Sequence, residues 1–248
     1  MASSSKNVGG VYTDPFHAPV TVSANLHGLK APWLGGLRIL GRPSVDSLDV
    51  VCIGCDDGIH FWTLYGSFSD SKDNSSIQTF TMDFTPKALG VGLLQCGFDE
   101  TLGHGGIHFY EDDGSTIGNA WRRLMATTDG SLWQVQTQHS AFNDINGLYM
   151  SDNTTTTTNT NPFAGMRVIS DRKGKIIRDE LCMIGTDDGI EWWSLTGGSF
   201  TNKISGDFEI GQYKGKIRSG IITLEDDNST TWKKMMPKLD IHALLPKE

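Results

Sequence analysis

Long hydrophobic runs are missing from this chain. No apolar stretch approaches the roughly 20 residues that a transmembrane helix needs. Cysteine is scarce, with four in 248 residues (Cys52, Cys55, Cys96, Cys182). A secreted domain of this size would usually carry a denser disulfide framework. Basic charge is also short: 21 Lys and Arg stand against 29 Asp and Glu, for a net charge of −8. That argues against a protein that grips a phosphate backbone, which requires a basic surface. Helical periodicity is weak throughout, and the best candidate, Asp144–Met150, is too short to matter. There is no Gly-x-Ser-x-Gly nucleophile elbow and no phosphate-binding loop. The opening MASSSKNVGG has no apolar core of a signal peptide, so a reducing interior compartment is expected. The N-x-S/T triplets at Asn74, Asn153 and Asn228 then carry no argument for glycosylation.

Glycine, at 29 residues, is abundant, and Asp, Asn, Ser, Thr and Trp are plentiful. This is the make-up of many short strands and tight turns. The chain is also an internal duplication. VCIGCDDGIHFWTL (51–64) and CMIGTDDGIEWWSL (182–195) align at a constant offset of 131, with eight identities between positions 53 and 64. IHFYEDDGSTIGNAWRRLM (107–125) and IITLEDDNSTTWKKMM (221–236) form a second pair in the same order. Upstream, Leu-Arg-Ile-Leu (37–40) matches Met-Arg-Val-Ile (166–169). Repeats decide architecture. The expectation is an all-β protein with two tandem, pseudo-symmetric antiparallel β-sheet domains and few or short helices.

The repeats set boundaries at residues 34–150 and 163–236. Residues 1–33 form an N-terminal extended segment, 151–162 a Thr/Asn-rich linker, and 237–248 a C-terminal tail. Trp62 to Trp121 spans 59 residues and Trp193 to Trp232 spans 39. The excess is expected in a Gly-rich loop around Ala88–Gly106. Runs at 50–54 and 59–64 flank Asp56-Asp57-Gly58, and Asp-Gly is a strong hairpin signal because glycine accepts positive φ. Asp187-Asp188-Gly189 repeats it, and 107–110 with 119–124 forms another hairpin. Alternation puts Ile59, Phe61 and Thr63 on one face and His60, Trp62 and Leu64 on the other. Both faces are largely apolar, so the strand is buried on both or meets a partner on one.

Several residues could carry chemistry. Cys52-Ile-Gly-Cys55 has redox or zinc spacing, but a zinc site needs two more ligands and no second pair is present. Its repeat equivalents are Met183 and Thr186, so core packing is the expected role. Asp56, Asp57, Asp187, Asp188, Glu111, Asp112, Asp113, Glu225, Asp226 and Asp227 could bind Ca²⁺ or serve as acid and base. Their place at matching turns points instead to turn chemistry. His104 and His108 do not repeat, and His60 becomes Glu191. Trp62, Trp121, Trp133, Trp192, Trp193 and Trp232 could stack sugars, but two of these pairs are repeat-equivalent, which favours core or interface roles.

The flanks carry apolar residues without a domain of their own. Phe16, Trp33, Leu239, Ile241, Leu244 and Leu245 are the candidate self-assembly contacts. Such segments can add a strand to a neighbour's edge, and head-to-tail contacts of this kind propagate into sheets or tubes. The repeated D-D-G-I-x-x-W-[TS]-L-x-G with E-D-D and W-[RK]-[RK]-[LM]-M resembles the tandem domains of the pyrenoid shell proteins of diatoms and related algae, over about 200 residues. That resemblance implies a self-assembling plastid protein. It implies a sheath around the pyrenoid, at its periphery in the plastid stroma after removal of a transit peptide, with Rubisco or the pyrenoid matrix as partner and a role in CO₂ concentration and fixation. Without it, the expectation is an intracellular soluble protein. No catalytic, cofactor-binding or metal residues are expected, nor any cofactor, nucleic acid or membrane insertion, and the chain is not expected to be an enzyme. The alternatives are a carbohydrate-binding duplicated β-domain protein and an enzyme using His, Cys or acidic groups.

Overall fold

The computed structural model describes residues 7–14, 34–56, 60–68, 77–84, 92–100, 105–117, 120–124, 133–135, 145–151, 161–172, 180–225 and 230–237. Eight strands come first: β1 (Gly10–Thr13), β2 (Leu37–Gly41), β3 (Asp49–Cys55), β4 (Phe61–Phe68), β5 (Ile77–Asp83), β6 (Leu93–Asp99), β7 (Gly106–Tyr110) and β8 (Trp121–Arg123). They pair antiparallel in chain order, and β8 returns to β1 to close a barrel. After β9 (Trp133–Val135) come β10 (Gly147–Ser151), β11 (Met166–Arg172), β12 (Glu180–Gly185), β13 (Trp193–Asn202), β14 (Asp207–Ile210), β15 (Tyr213–Arg218), β16 (Ile221–Leu224) and β17 (Thr231–Pro237). This second set repeats the order, with β17 pairing back onto β10. β9 adds to the far end of β17 through Met235–Pro237. The chain is therefore all-β, with two tandem pseudo-symmetric domains and no α-helix among the described residues. Closing each sheet removes the free edges that a short antiparallel sheet would otherwise expose.

Strand alternation divides each strand's side chains between two burial sites. Leu40, Cys52, Leu64, Phe80, Cys96, Phe98 and Ile107 fill the first barrel. Tyr149, Ile169, Met183, Phe208, Ile217 and Ile222 fill the second. The opposite faces of β2, β3 and β4 meet those of β11 and β12 in a third core. This arrangement accounts for the two apolar faces of the Phe61–Leu64 run. Trp62 and Leu64 point into their own barrel, while Phe61 packs against the inter-barrel core.

The ring order shifts the repeat boundaries. β1 lies within residues 1–33, yet it pairs with both β2 and β8. β10 lies within residues 34–150, yet it pairs with β11 and β17. Val8-Gly-Gly-Val-Tyr12 and Ile145-Asn-Gly-Leu-Tyr149 are equivalent openings of the two copies. In both, the tyrosine hydroxyl donates to the carbonyl four residues earlier, Tyr12 to Val8 (2.6 Å) and Tyr149 to Ile145 (2.8 Å). The Thr/Asn-rich stretch thus runs between β10 and β11 of the second barrel, and the connection between barrels falls between β8 and β10. The expected loop at Ala88–Gly106 is corrected too. It contains β6, which pairs along its whole length with β5 and corresponds to β15.

The third core has an internal symmetry. It contains Leu37 with Met166, Ile39 with Val168, Val51 with Cys182, Ile53 with Ile184 and Val11 with Leu148, and each pair occupies equivalent repeat positions. Phe61 packs there beside its counterpart Trp192. Both barrels therefore present the same face to each other, as the two subunits of an isologous dimer do. Backbone also joins them. The Arg42 N–H donates to the Trp192 carbonyl (3.2 Å), and the Ser194 N–H donates to the Arg42 carbonyl (2.9 Å). The Tyr65 hydroxyl donates to Glu180 Oε2 (2.9 Å) and lies 3.0 Å from Cys182 Sγ. Burial, with Cys182 and Glu180 beside it, pushes the Tyr65 phenol well above its ordinary range.

Candidate functional site

The chemistry-bearing residues converge on one motif, built twice. On neighbouring strands of the first barrel, Tyr12, Arg38, Gly54 and Trp62 are successive register partners. In the second barrel the same row is Tyr149, Arg167, Gly185 and Trp193. An arginine inside an apolar barrel needs partners for its charge. Arg38 Nη1 donates to the carbonyls of Leu37 (2.9 Å) and Cys55 (3.1 Å). Its Nη2 donates to Asp14 Oδ2 (3.2 Å) and Asp56 Oδ1 (2.7 Å). Arg167 repeats this with the carbonyls of Met166 (2.8 Å) and Thr186 (2.7 Å), and with the Asp187 carboxylate.

Tryptophans close over both guanidinium groups. The Arg38 guanidinium carbon lies 4.8 Å from the Trp62 ring centre and 5.1 Å from that of Trp121. Arg167 lies 4.6 Å from Trp193 and 5.9 Å from Trp232. Glycine makes room for this. A Cβ on Gly54 would sit 2.3 Å from the Trp62 ring, and one on Gly185 would sit 2.6 Å from the Trp193 ring. The indole lies flat across the bare backbone of the neighbouring strand, as aromatic residues do over strand glycines. The repeated Trp followed by two basic residues is explained as well. The second basic residue covers the row's tyrosine, Arg123 at 5.9 Å from Tyr12 and Lys234 at 6.0 Å from Tyr149.

In the second copy the two aspartates of Asp-Asp-Gly divide the work. The first pairs with the arginine. The second, Asp188, organises the turn: its Oδ1 accepts from the N–H groups of Ile190 (2.8 Å) and Glu191 (2.9 Å) and from the Thr186 hydroxyl (3.2 Å). Desolvation raises the Asp188 carboxyl, but these donors together outweigh it and hold the group below its ordinary value. A lowered folded-state value means stability that is present above the unfolded-state value and lost as pH falls through the folded one. Asp188→Ala should cost about 1 kcal/mol at neutral pH. Asp188→Asn should flatten the acid limb of a plot of melting temperature against pH, measured by circular dichroism.

Asp113 has a similar role. Its Oδ1 accepts from the Ser115 N–H (2.8 Å), and its carboxyl is held low by Ser115. Asp57, Asp226 and Asp227 lie outside the described residues, as do His104 and the six flank residues Phe16, Trp33, Leu239, Ile241, Leu244 and Leu245. His108 stands 3.9 Å from Asp99, and among the described residues no cluster of three His, Cys, Asp or Glu could hold a metal ion.

Cys52 and Cys55 are three apart on a strand, so alternation sends them to opposite faces. Cys52 enters the first barrel near Cys96, and Cys55 turns the other way. The two thiols cannot share a metal or a disulfide without rebuilding β3. All four cysteines are buried and outside any disulfide, and burial pushes the Cys96 thiol far up. Native protein should react with a thiol reagent orders of magnitude more slowly than protein in guanidinium, which should release four equivalents.

The row of tyrosine, arginine, glycine and tryptophan has no local pattern in the sequence. Its one signal there is an arginine at the same position of an apolar strand in both copies, Arg38 and Arg167. The stacked rings also leave little platform for a sugar, since Trp62 and Trp193 have an arginine against them and lie across glycine. No helix among the described residues is long and apolar enough to cross a membrane. No family model, curated protein or solved structure matches the chain.

Proposed function

We propose that the protein is structural and assembles with copies of itself into sheets or tubes. The observation that carries this reading is the duplicated cluster of arginine, tryptophans and aspartate. In both barrels the residues with the most chemical potential are committed to bracing the fold, through hydrogen bonds to carbonyls and carboxylates. The core shared by the two barrels joins them into one building block, as a lattice unit requires. The resemblance of the repeat to pyrenoid shell proteins supports a sheath around a Rubisco matrix in the plastid, supporting CO₂ fixation. Sedimentation velocity of the pure chain tests the assembly reading. The sedimentation coefficient should climb with concentration well beyond that of a 27.1 kDa particle. A single 27.1 kDa species at every concentration would overturn the proposal.

A further inference from the structure

The buried row repeats in both barrels, but its charge is balanced differently in each. Arg38 Nη2 lies between two carboxylates, Asp14 at 3.2 Å and Asp56 at 2.7 Å. Arg167 Nη2 has the Asp187 carboxylate as its one partner among the described residues, and that carboxylate is 76% exposed. Asp14 stands two residues beyond Tyr12, and the residue two beyond Tyr149 is Ser151. Strand alternation puts Ser151 on the same face of β10 as Tyr149. A hydroxyl therefore takes the place of a nearly buried carboxylate, and the second guanidinium keeps one counter-charge where the first has two.

The end of the second barrel around this guanidinium also has less aromatic cover. In the first barrel, Phe84 and Phe109 pack on Trp121 with ring centres 6.4 and 4.7 Å away. Phe80 and Phe208 are equivalent, as the register partners of Phe68 and Phe200, which puts the exposed Gln212 at the position of Phe84. Ile107 and Ile222 are equivalent, opposite Trp121 and Trp232, which puts Leu224 at the position of Phe109. Trp232 is the register partner of Ser151 and faces Arg167. It is 8% exposed, and its Nε1 is buried with no hydrogen-bond partner among the described residues. A buried donor of this kind calls for an acceptor.

We propose that the Arg167 end of the second barrel binds a small free carboxylate, seated as the Asp14 carboxylate is seated in the first barrel. Its oxygens accept from Arg167 Nη2 and Trp232 Nε1, and charge-assisted bonds from a guanidinium are the strong ones. The Arg167 side chain is 12% exposed, which admits a ligand the size of acetate and little more. Acidic neighbours do not bar the site. The first barrel seats Asp14 beside Asp56, with Glu111, Asp112 and Asp113 in the turn after β7. All of the groups come from one chain, so the site does not depend on assembly.

Thermal melting of the full chain in sodium acetate, sodium chloride or acetamide, each at about 50 mM, tests the site. Acetate should raise the melting temperature about 3 °C above its value in chloride. Acetamide, of the same shape but uncharged, should not. Ser151→Asp supplies the missing carboxylate from the chain itself and should abolish the acetate increment. Asp14→Ser opens the same place in the first barrel and should enlarge that increment, which decides the matter if Ser151→Asp does not fold. No acetate increment in the wild type, an undiminished one in folded Ser151→Asp, or one no larger than wild type in Asp14→Ser overturns the proposal.

Discussion

Replacing Arg38 with alanine should cost about 4 kcal/mol, the largest loss of any single substitution considered. The side chain is almost completely buried, and Asp14 beside it is 11% exposed. Removing the guanidinium takes its counter-charge from the buried Asp14 carboxylate and one hydrogen bond each from the Leu37 and Cys55 carbonyls. It also opens the space between Trp62 and Trp121. Arg167→Ala is the internal control, since it deletes the same residue from the same row. Its carboxylate partner, Asp187, is 76% exposed and can return to water. The second substitution should therefore cost roughly half as much. Guanidinium denaturation of the two variants, compared at equal slope, reads the difference. Equal losses would mean that the buried carboxylate at Asp14 contributes little.

Gly41→Val should be nearly as damaging, by a different route. A Cβ there would stand 2.7 Å from Ile184 Cγ2 and 2.8 Å from the Trp193 carbonyl oxygen, both on the opposite barrel. Backbone cannot step aside as a flexible side chain can, so the clash pushes the barrels apart at the Arg42–Trp193 bridge. The cost should be about 3 kcal/mol. Its signature should be a loss of cooperativity, because the barrels are coupled through this shared core. Calorimetry should show one transition for the wild type and two for the variant. A single transition shifted downward would mean that the barrels remain joined despite the substitution.

Much of this architecture is legible in the amino-acid sequence, because its signals are local. The Asp-Asp-Gly turns announce their hairpins within a dozen residues, and β3 and β4 follow from runs of β-branched and aromatic residues. The duplication reveals that the two halves share a fold. The strands β1 and β10 are harder to see. They are four and five residues long, and long intervening segments separate them from their partners β2 and β11. Only the paired Gly-x-Tyr of Gly10–Tyr12 and Gly147–Tyr149 marks them. β6 hides for a related reason: Gln95, Gly97 and Asp99 on its outer face read as loop residues, while its inward Cys96 and Phe98 are too few to set a pattern.

The brace of the barrels is illegible for a deeper reason. Tyr12, Arg38, Gly54 and Trp62 lie fifty residues apart end to end and meet only because four strands come into register. No spacing along the chain encodes that row. The mutual burial of equivalent faces is likewise non-local. The sequence shows Phe61 apolar on the side away from Trp62, but not that the surface it meets is the other copy of the repeat.

Electron microscopy of the purified chain in negative stain, taken across a concentration series at low salt, tests the central claim most directly. The account requires extended layers or cylinders with a repeat the size of one pair of barrels. Dispersed particles of single-chain size in every field would contradict it.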